Sequence, residues 1–290
     1  MFLVEVMRGG EMTKEITSLQ NPKLKDAIKL KERSAREESG LFIIEGYREI
    51  KRAVDAGIHL QTLFFCPELF LGVNEPDLLK QITAAGSELI SCSERVFTKL
   101  SYRDRPDGLV AIAIQMKYQL RDLIARLADK KTPFLVIAES IEKPGNLGSI
   151  LRSADAAGAD GVIVCDRCTD IYNPNVVRAS VGTLFTLPVV EASSAETLIW
   201  LRSKKIKVVA ATPSAQEEFT DANLQGPIAI VVGTEQIGLS ELWMKAADKQ
   251  VRIPMQGVAD SLNVATAATL LLYEVLRQRK APLHASTFLR

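Results

Sequence analysis

The sequence predicts an α/β protein of two domains. Its 290 residues are enough for two ordinary domains, and 47% hydrophobic with 24% charged residues is a globular composition. From Pro133 onward, continuous apolar runs alternate with helix-prone segments, the pattern of a parallel sheet covered on both faces. Before Pro133 the elements are shorter and mixed.

The first half opens on "NPKLKDAIKLKERSAREESG", residues 21–40, which reads as one helix. Asn21 can cap it, Pro22 suits the first helical position and Gly40 follows its end. Leu24, Ala27, Ile28 and Ala35 make its apolar stripe, while Lys23, Lys25, Lys29, Lys31, Arg33 and Arg36 suggest a local basic face. "LFIIEG" and "LQTLFFC" read as strands around a helix over residues 47–56, and "GLVAIAIQM" holds a strand over 109–115. The polar stretch 118–132 is the expected linker between domains at 14–117 and 133–285. In the second half "FLVIA", "GVIVC", "FTLPVV", "KVVAAT", "PIAIVVG" and "QVRIP" read as strands, and a final helix is expected over 261–279.

Charge argues against a generic polyanion binder. The net charge is +1, with 20 basic and 19 acidic residues up to Lys130 and 16 of each beyond it. Neutralising many phosphates calls for a basic surplus or stripe. No run approaches the roughly eighteen apolar residues of a membrane span. Glu5, Arg8 and Glu11 interrupt the apolar start, so no signal-peptide core is expected, and Met12 is a candidate translation start. Four scattered cysteines fit a reduced, cytoplasmic protein. Cys165 and Cys168 form a CxxC without a second pair, and they read as structural. With His59 and His284 in separate halves, neither a histidine triad nor a metal centre is expected.

Three segments place polar groups where α/β ligand sites form. Gly145-Asn146-Leu147-Gly148 fails the dinucleotide spacing G-x-G-x-x-G, which argues against a dehydrogenase. Asn146 reads as a helix cap, with Arg152 nearly two turns further along the same side. "IAIVVGTEQIGLS", 228–240, spaces Gly233 and Gly238 like a P-loop, but Leu239 stands where the phosphate-binding lysine must be and Glu235 would repel a triphosphate. Near the end, Ser261 reads as the cap of the last helix, with Asn263 in its first turn. Taken singly, each segment is also an ordinary turn or a capped helix.

Taken together, they resemble the SpoU/TrmH group of RNA ribose 2′-O-methyltransferases, in the knotted SPOUT superfamily. The likeness rests on P-G-N-L-G-S-I-L-R at 144–152, V-V-G-T-E-Q-I-G-L-S at 231–240, I-P-M at 253–255 and S-L-N-V-A-T-A-A at 261–268. "VVRASVGTLFTLPVV" at 176–190 resembles the family's intervening region. "GLFIIEGYREIKRAVDAG" and "RPDGLVAIA" resemble the smaller, ribosomal-protein-like α/β substrate domain often fused ahead of it. "PGNLGSILRSADAAGADGVIV" and "DIYNPNVVRASVGTLF" are most similar to the avilamycin-resistance branch, which methylates a uridine ribose in 23S rRNA. The chain departs from the family at Lys143, where an aspartate is usual.

The resemblance implies S-adenosylmethionine as methyl donor, no metal, a deep trefoil knot in the C-terminal domain and a homodimer with active sites at its interface. It implies donor contacts from Thr212, Gly233, Ile253, Met255, Leu262 and Ala267, and a catalytic set of Asn146, Arg152, Glu235, Ser261 and Asn263. RNA contacts are expected from Arg152, Arg178, Lys23, Lys29 and Arg33. The RNA would be ribosomal, with tRNA as the alternative target and a catalytically silent RNA-binding scaffold as the non-enzymatic one. The reaction would be an in-line displacement by the ribose 2′-oxygen, in which positioning supplies much of the acceleration. Arg152 would clamp the RNA phosphate while a phosphate oxygen or water takes the proton, or would itself act as base although a guanidinium is reluctant to do so.

Overall fold

The computed structural model describes residues 15–166 and 169–280. In chain order the elements are α1 (Pro22–Lys29), α2 (Arg33–Ser39), β1 (Leu41–Glu45), α3 (Tyr47–Asp55), β2 (Leu60–Phe65), α4 (Glu75–Ala84), β3 (Glu88–Ser91), α5 (Glu94–Leu100) and β4 (Leu109–Ile114). They continue with α6 (Leu120–Leu127), β5 (Phe134–Glu139), α7 (Pro144–Ala157), β6 (Gly161–Cys165), α8 (Pro174–Ser180), β7 (Val189–Ala192), α9 (Ser194–Ser203) and β8 (Lys207–Ala211). The last are β9 (Glu217–Glu218), β10 (Ile228–Val232), α10 (Glu241–Ala246), β11 (Lys249–Arg252) and α11 (Val264–Lys280). Among the described residues two compact units result: the chain up to Met116 with Asp170–Phe185, and the stretch from Lys117 to Thr169 with that from Thr186 to Lys280.

The first unit holds a four-stranded sheet in the order β1-β4-β2-β3. β4 runs antiparallel to both β1 and β2, and β3 runs parallel to β2. The helix expected over 21–40 is two helices, capped by Asn21 at one end and by left-handed Gly40 (φ 67°) at the other. The break follows from Arg36. Its guanidinium is buried, donates to the carbonyls of Leu30 and Lys31 at 2.8 Å each, and pairs with Asp170 at 2.6 Å. Arg36 therefore does not belong to a basic face. The segment Asp170–Phe185 is packed into the same unit, with the Tyr172 and Phe185 rings 4.6 and 6.3 Å from that of Phe42.

The second unit holds a seven-stranded sheet in the order β7-β6-β5-β10-β8-β11-β9, with every neighbouring pair parallel. β5 and β10, near the middle, are buried at every position, as strands covered on both faces must be. The α/β class read from the alternation is the class observed. Residues 118–132 do not form an open linker. α6 begins with a reciprocal Gln119–Asp122 capping box and buries Leu123 and Leu127 in this unit's core, an i,i+4 pair on one helix face. "FTLPVV" contributes a strand only from Val189, because Pro188 has no N–H to offer a ladder; its carbonyl accepts from Val162 at 3.0 Å. Edge strand β9 was not expected from the sequence.

Candidate functional site

Pro144 fixes its own φ and opens α7 directly, so Lys143 is the N-cap position and Asn146 lies within the first turn. Asn146 is thus not a cap, and its side chain is free to reach outward. At the last helix the cap is Asn263, not Ser261. The Asn263 Oδ1 accepts from the amides of Ala265 at 3.1 Å and Thr266 at 3.4 Å, and α11 starts at Val264. Ser261 is exposed and donates to Asp260 at 3.3 Å.

Between these two helix starts stands Glu235, in the turn after β10. Its Oε1 accepts from Asn263 Nδ2 at 2.5 Å, Asn146 Nδ2 at 3.2 Å and the Val264 amide at 3.4 Å. Its Oε2 accepts from Lys143 Nζ at 2.8 Å, and Asn263 Nδ2 also reaches Asn146 Oδ1 at 3.1 Å. The Lys143 ammonium first, with the Val264 amide and Asn146 behind it, holds the Glu235 carboxyl below the usual range; Glu235 in turn raises the Lys143 ammonium. One carboxylate thereby joins three segments far apart in sequence.

The turn itself is built on Gly233. A methyl group there would lie 2.4 Å from the Gly238 carbonyl oxygen and 2.6 Å from its carbon, so no side chain fits. The Gly238 amide donates to Thr234 O at 3.0 Å with Gly238 at φ 73°, and the Ile237 amide donates to Thr234 Oγ1 at 3.0 Å. Gly233→Ala is expected to lower stability by about 1–3 kcal/mol, as overpacking against rigid backbone does. An unchanged thermal unfolding curve would show that the turn yields freely.

A cleft of about 530 Å³ opens where β8, β10 and β11 end, the carboxyl edge at which α/β sheets bind ligands. All six residues expected to hold a donor line it: Thr212, Gly233, Ile253, Met255, Leu262 and Ala267. Glu235 and Ser261 share its wall, with Leu239, Met244 and Val251 supplying apolar surface. The size and the apolar lining with a few strand-end polar groups suit a nucleoside-sized ligand. Glu139, buried at the end of β5, supports the far side of this turn by accepting from the Ser240 amide at 2.9 Å. The sequence reading missed it; the signal was an acid closing the apolar run "FLVIAE".

Arg152 is not drawn into the cluster. It is exposed on α7 and has no hydrogen-bond or ion-pair partner among the described residues. Six residues turn a helix through roughly 600°, so Arg152 points about 120° away from Asn146 rather than lying beneath it. In the first unit Arg178 is exposed, while Lys23, Lys29 and Arg33 face Glu88, Asp26 and Glu37. Burial pushes the Cys165 thiol up to about 12, an unreactive state; Cys168, His284 and the first eleven residues lie outside the described residues. Among the described residues no helix is long and apolar enough to cross a membrane.

The SpoU rRNA Methylase family matches residues 133–273, and the MRM3-like substrate binding domain matches 21–111. The 23S rRNA uridine 2′-O-methyltransferase of Streptomyces viridochromogenes is 33% identical over 88% of this chain and 89% of its own. An AdoMet-bound rRNA methyltransferase from Sinorhizobium meliloti superposes with a TM-score of 0.83 at 31% identity, covering 93% of this chain and 99% of that one. The structure of an RNA 2′-O ribose methyltransferase gives a TM-score of 0.77 at 44% identity, over 92% of this chain and 99% of that one. With both halves matched in order and the Asn146–Glu235–Asn263 cluster standing beside a strand-end cleft, the chain belongs to the SpoU rRNA methylase family.

Proposed function

We propose that this chain transfers a methyl group from S-adenosylmethionine to a ribose 2′-hydroxyl of ribosomal RNA, of the 23S type. The observation that carries the reading is the cleft that gathers all six expected donor residues and shares Glu235 with the Asn146–Asn263 cluster. Relatives named for 23S rRNA favour ribosomal RNA over tRNA. The cleft fits the donor on its own geometry: Gly233 keeps the turn against the wall, and the apolar side chains face it. When bound, the donor supplies an electrophilic sulfonium methyl.

The chain's own residues do the rest. Asn146 and Asn263, oriented by Glu235, hold the ribose, and Ser261 at the cleft wall contacts it. Arg152, with its five donors uncommitted inside the protein, clamps the RNA phosphate beside the reacting hydroxyl, and a phosphate oxygen or water takes the proton. Arg178 and the ion-paired Lys23, Lys29 and Arg33 offer further phosphate contacts from the first unit, the substrate domain of this reading. The half-exposed Leu270 and Tyr273 on α11, with the exposed Ile237 at the cleft and Val258 in the loop before α11, suit the homodimer. The knot and a cytoplasmic location follow from the same family reading.

Incubation with labelled S-adenosylmethionine and either 23S rRNA or tRNA, followed by nucleoside mass analysis, tests it. A 2′-O-methylnucleoside from rRNA alone is expected. A methylated base would sink the ribose mechanism, and label on tRNA alone would sink the substrate.

A further inference from the structure

Lys143 is built into the cluster from the start of α7. It forms the N-cap position of α7, and its backbone carbonyl accepts the amides of Asn146 at 3.0 Å and Leu147 at 3.2 Å. Its ammonium makes no capping bond. It crosses instead to Glu235 Oε2 at 2.8 Å, the oxygen that the two asparagines leave unused. Residues 232–239 line the donor cleft and Lys143 does not. The ion pair therefore grips the cleft wall from outside.

An exposed ion pair of this kind adds little to stability. Its geometric effect is larger. With Oε2 held, Oε1 stays aimed at Asn146, Asn263 and the Val264 amide; with Oε2 released, the carboxylate is anchored through Oε1 alone and its torsion about the last bond loosens. An aspartate at 143 would confront Glu235 with like charge.

We propose that Lys143 is a positioning residue for the methyl transfer, pinning Glu235 so that the 233–239 wall and the amides of Asn146 and Asn263 hold their working geometry. This rests on the functional reading above. The charged group facing Glu235 is Lys143; Glu142 in turn acts on the Lys143 ammonium, and Asp260, from the loop before α11, lines the same cleft. Because Lys143 holds the Glu235 carboxyl down, removing it lets that group protonate at higher pH as the medium is acidified.

The test uses the full chain, with donor binding by calorimetry and methyl transfer to 23S rRNA followed against pH. Lys143→Met is expected to weaken donor binding about two- to fivefold, within the range of an exposed ion pair, and to move the acid limb of kcat/KM to higher pH without lowering the melting temperature. Lys143→Arg should restore both. If Lys143→Met matches the unaltered protein in donor affinity and acid limb, Lys143 positions nothing. If only RNA affinity falls, Lys143 contacts RNA directly and the proposal is also overturned. Failure of the unaltered protein to transfer any methyl, with normal donor binding, would count against the functional reading and leave the Lys143 comparison readable in donor affinity alone.

Discussion

Arg152→Ala is expected to lower methyl transfer by about 10²-fold or more, as losing the group that positions the reactant does. It should leave stability within about 0.5 kcal/mol of the unaltered protein, as exposed substitutions away from packing and caps do. The contrast follows from its surroundings. Arg152 is exposed on α7 and bonds to nothing among the described residues, so the fold does not depend on it. Asn146, Asn263 and Glu235 depend on one another, and replacing any of them disturbs the others. On the proposed function, Arg152 is therefore the position at which a loss of transfer should come without a loss of stability. Single-turnover transfer and thermal unfolding measured on one preparation check it. Arg152→Lys is the sharper variant: it keeps the charge and loses the fork, so full activity would exclude a bidentate phosphate clamp.

The second large effect lies in the first unit. Asp170→Ala is expected to cost about 3–5 kcal/mol, because it strands a buried guanidinium. Arg36 is 2% exposed and meets Asp170 Oδ2 through Nε at 2.7 Å and through a second nitrogen at 2.6 Å. Asp170 Oδ1 also holds the Tyr172 amide at 2.8 Å, so the turn into α8 loses its anchor as well. A fall in melting temperature of about 10 °C is expected for a protein of this size. Replacing both partners, Arg36→Met with Asp170→Leu, should recover part of the loss, since no charge then remains buried, while the Tyr172 amide and the Leu30 and Lys31 carbonyls stay without their partners. If Asp170→Ala alone melted normally, the pair would be a surface contact in solution.

Much of this was legible from residues whose neighbours in sequence decide their fate. Apolar runs such as "PIAIVVG" could only be buried strands, and Gly40 and Asn21 act where local rules put them. The cleft residues followed from motif resemblance, and spacing alone would not have found them. The errors fall where distant partners decide. Arg36 reads as one more surface cation until Asp170, 134 residues away, is brought to it. Asn146 and Ser261 both pass as caps by composition, but Lys143 and Asn263 take those positions, which leaves Asn146 for Glu235. Lys143 reads only as a departure from the resemblance until Glu235, 92 residues away, is brought to it.

The membership of Asp170–Phe185 in the first unit has a consequence for the order of biosynthesis. A ribosome delivers residues from the N-terminus onward, and domains generally fold as they emerge. Here Phe42, Arg36 and the β1 edge of the first sheet wait for Tyr172, Asp170 and Phe185, which arrive after β5 and β6 of the second sheet. Neither unit can finish before the other has begun. A nascent chain halted near residue 120 should therefore remain open to protease, and one released beyond residue 185 should close its first unit with a single cooperative gain of protection.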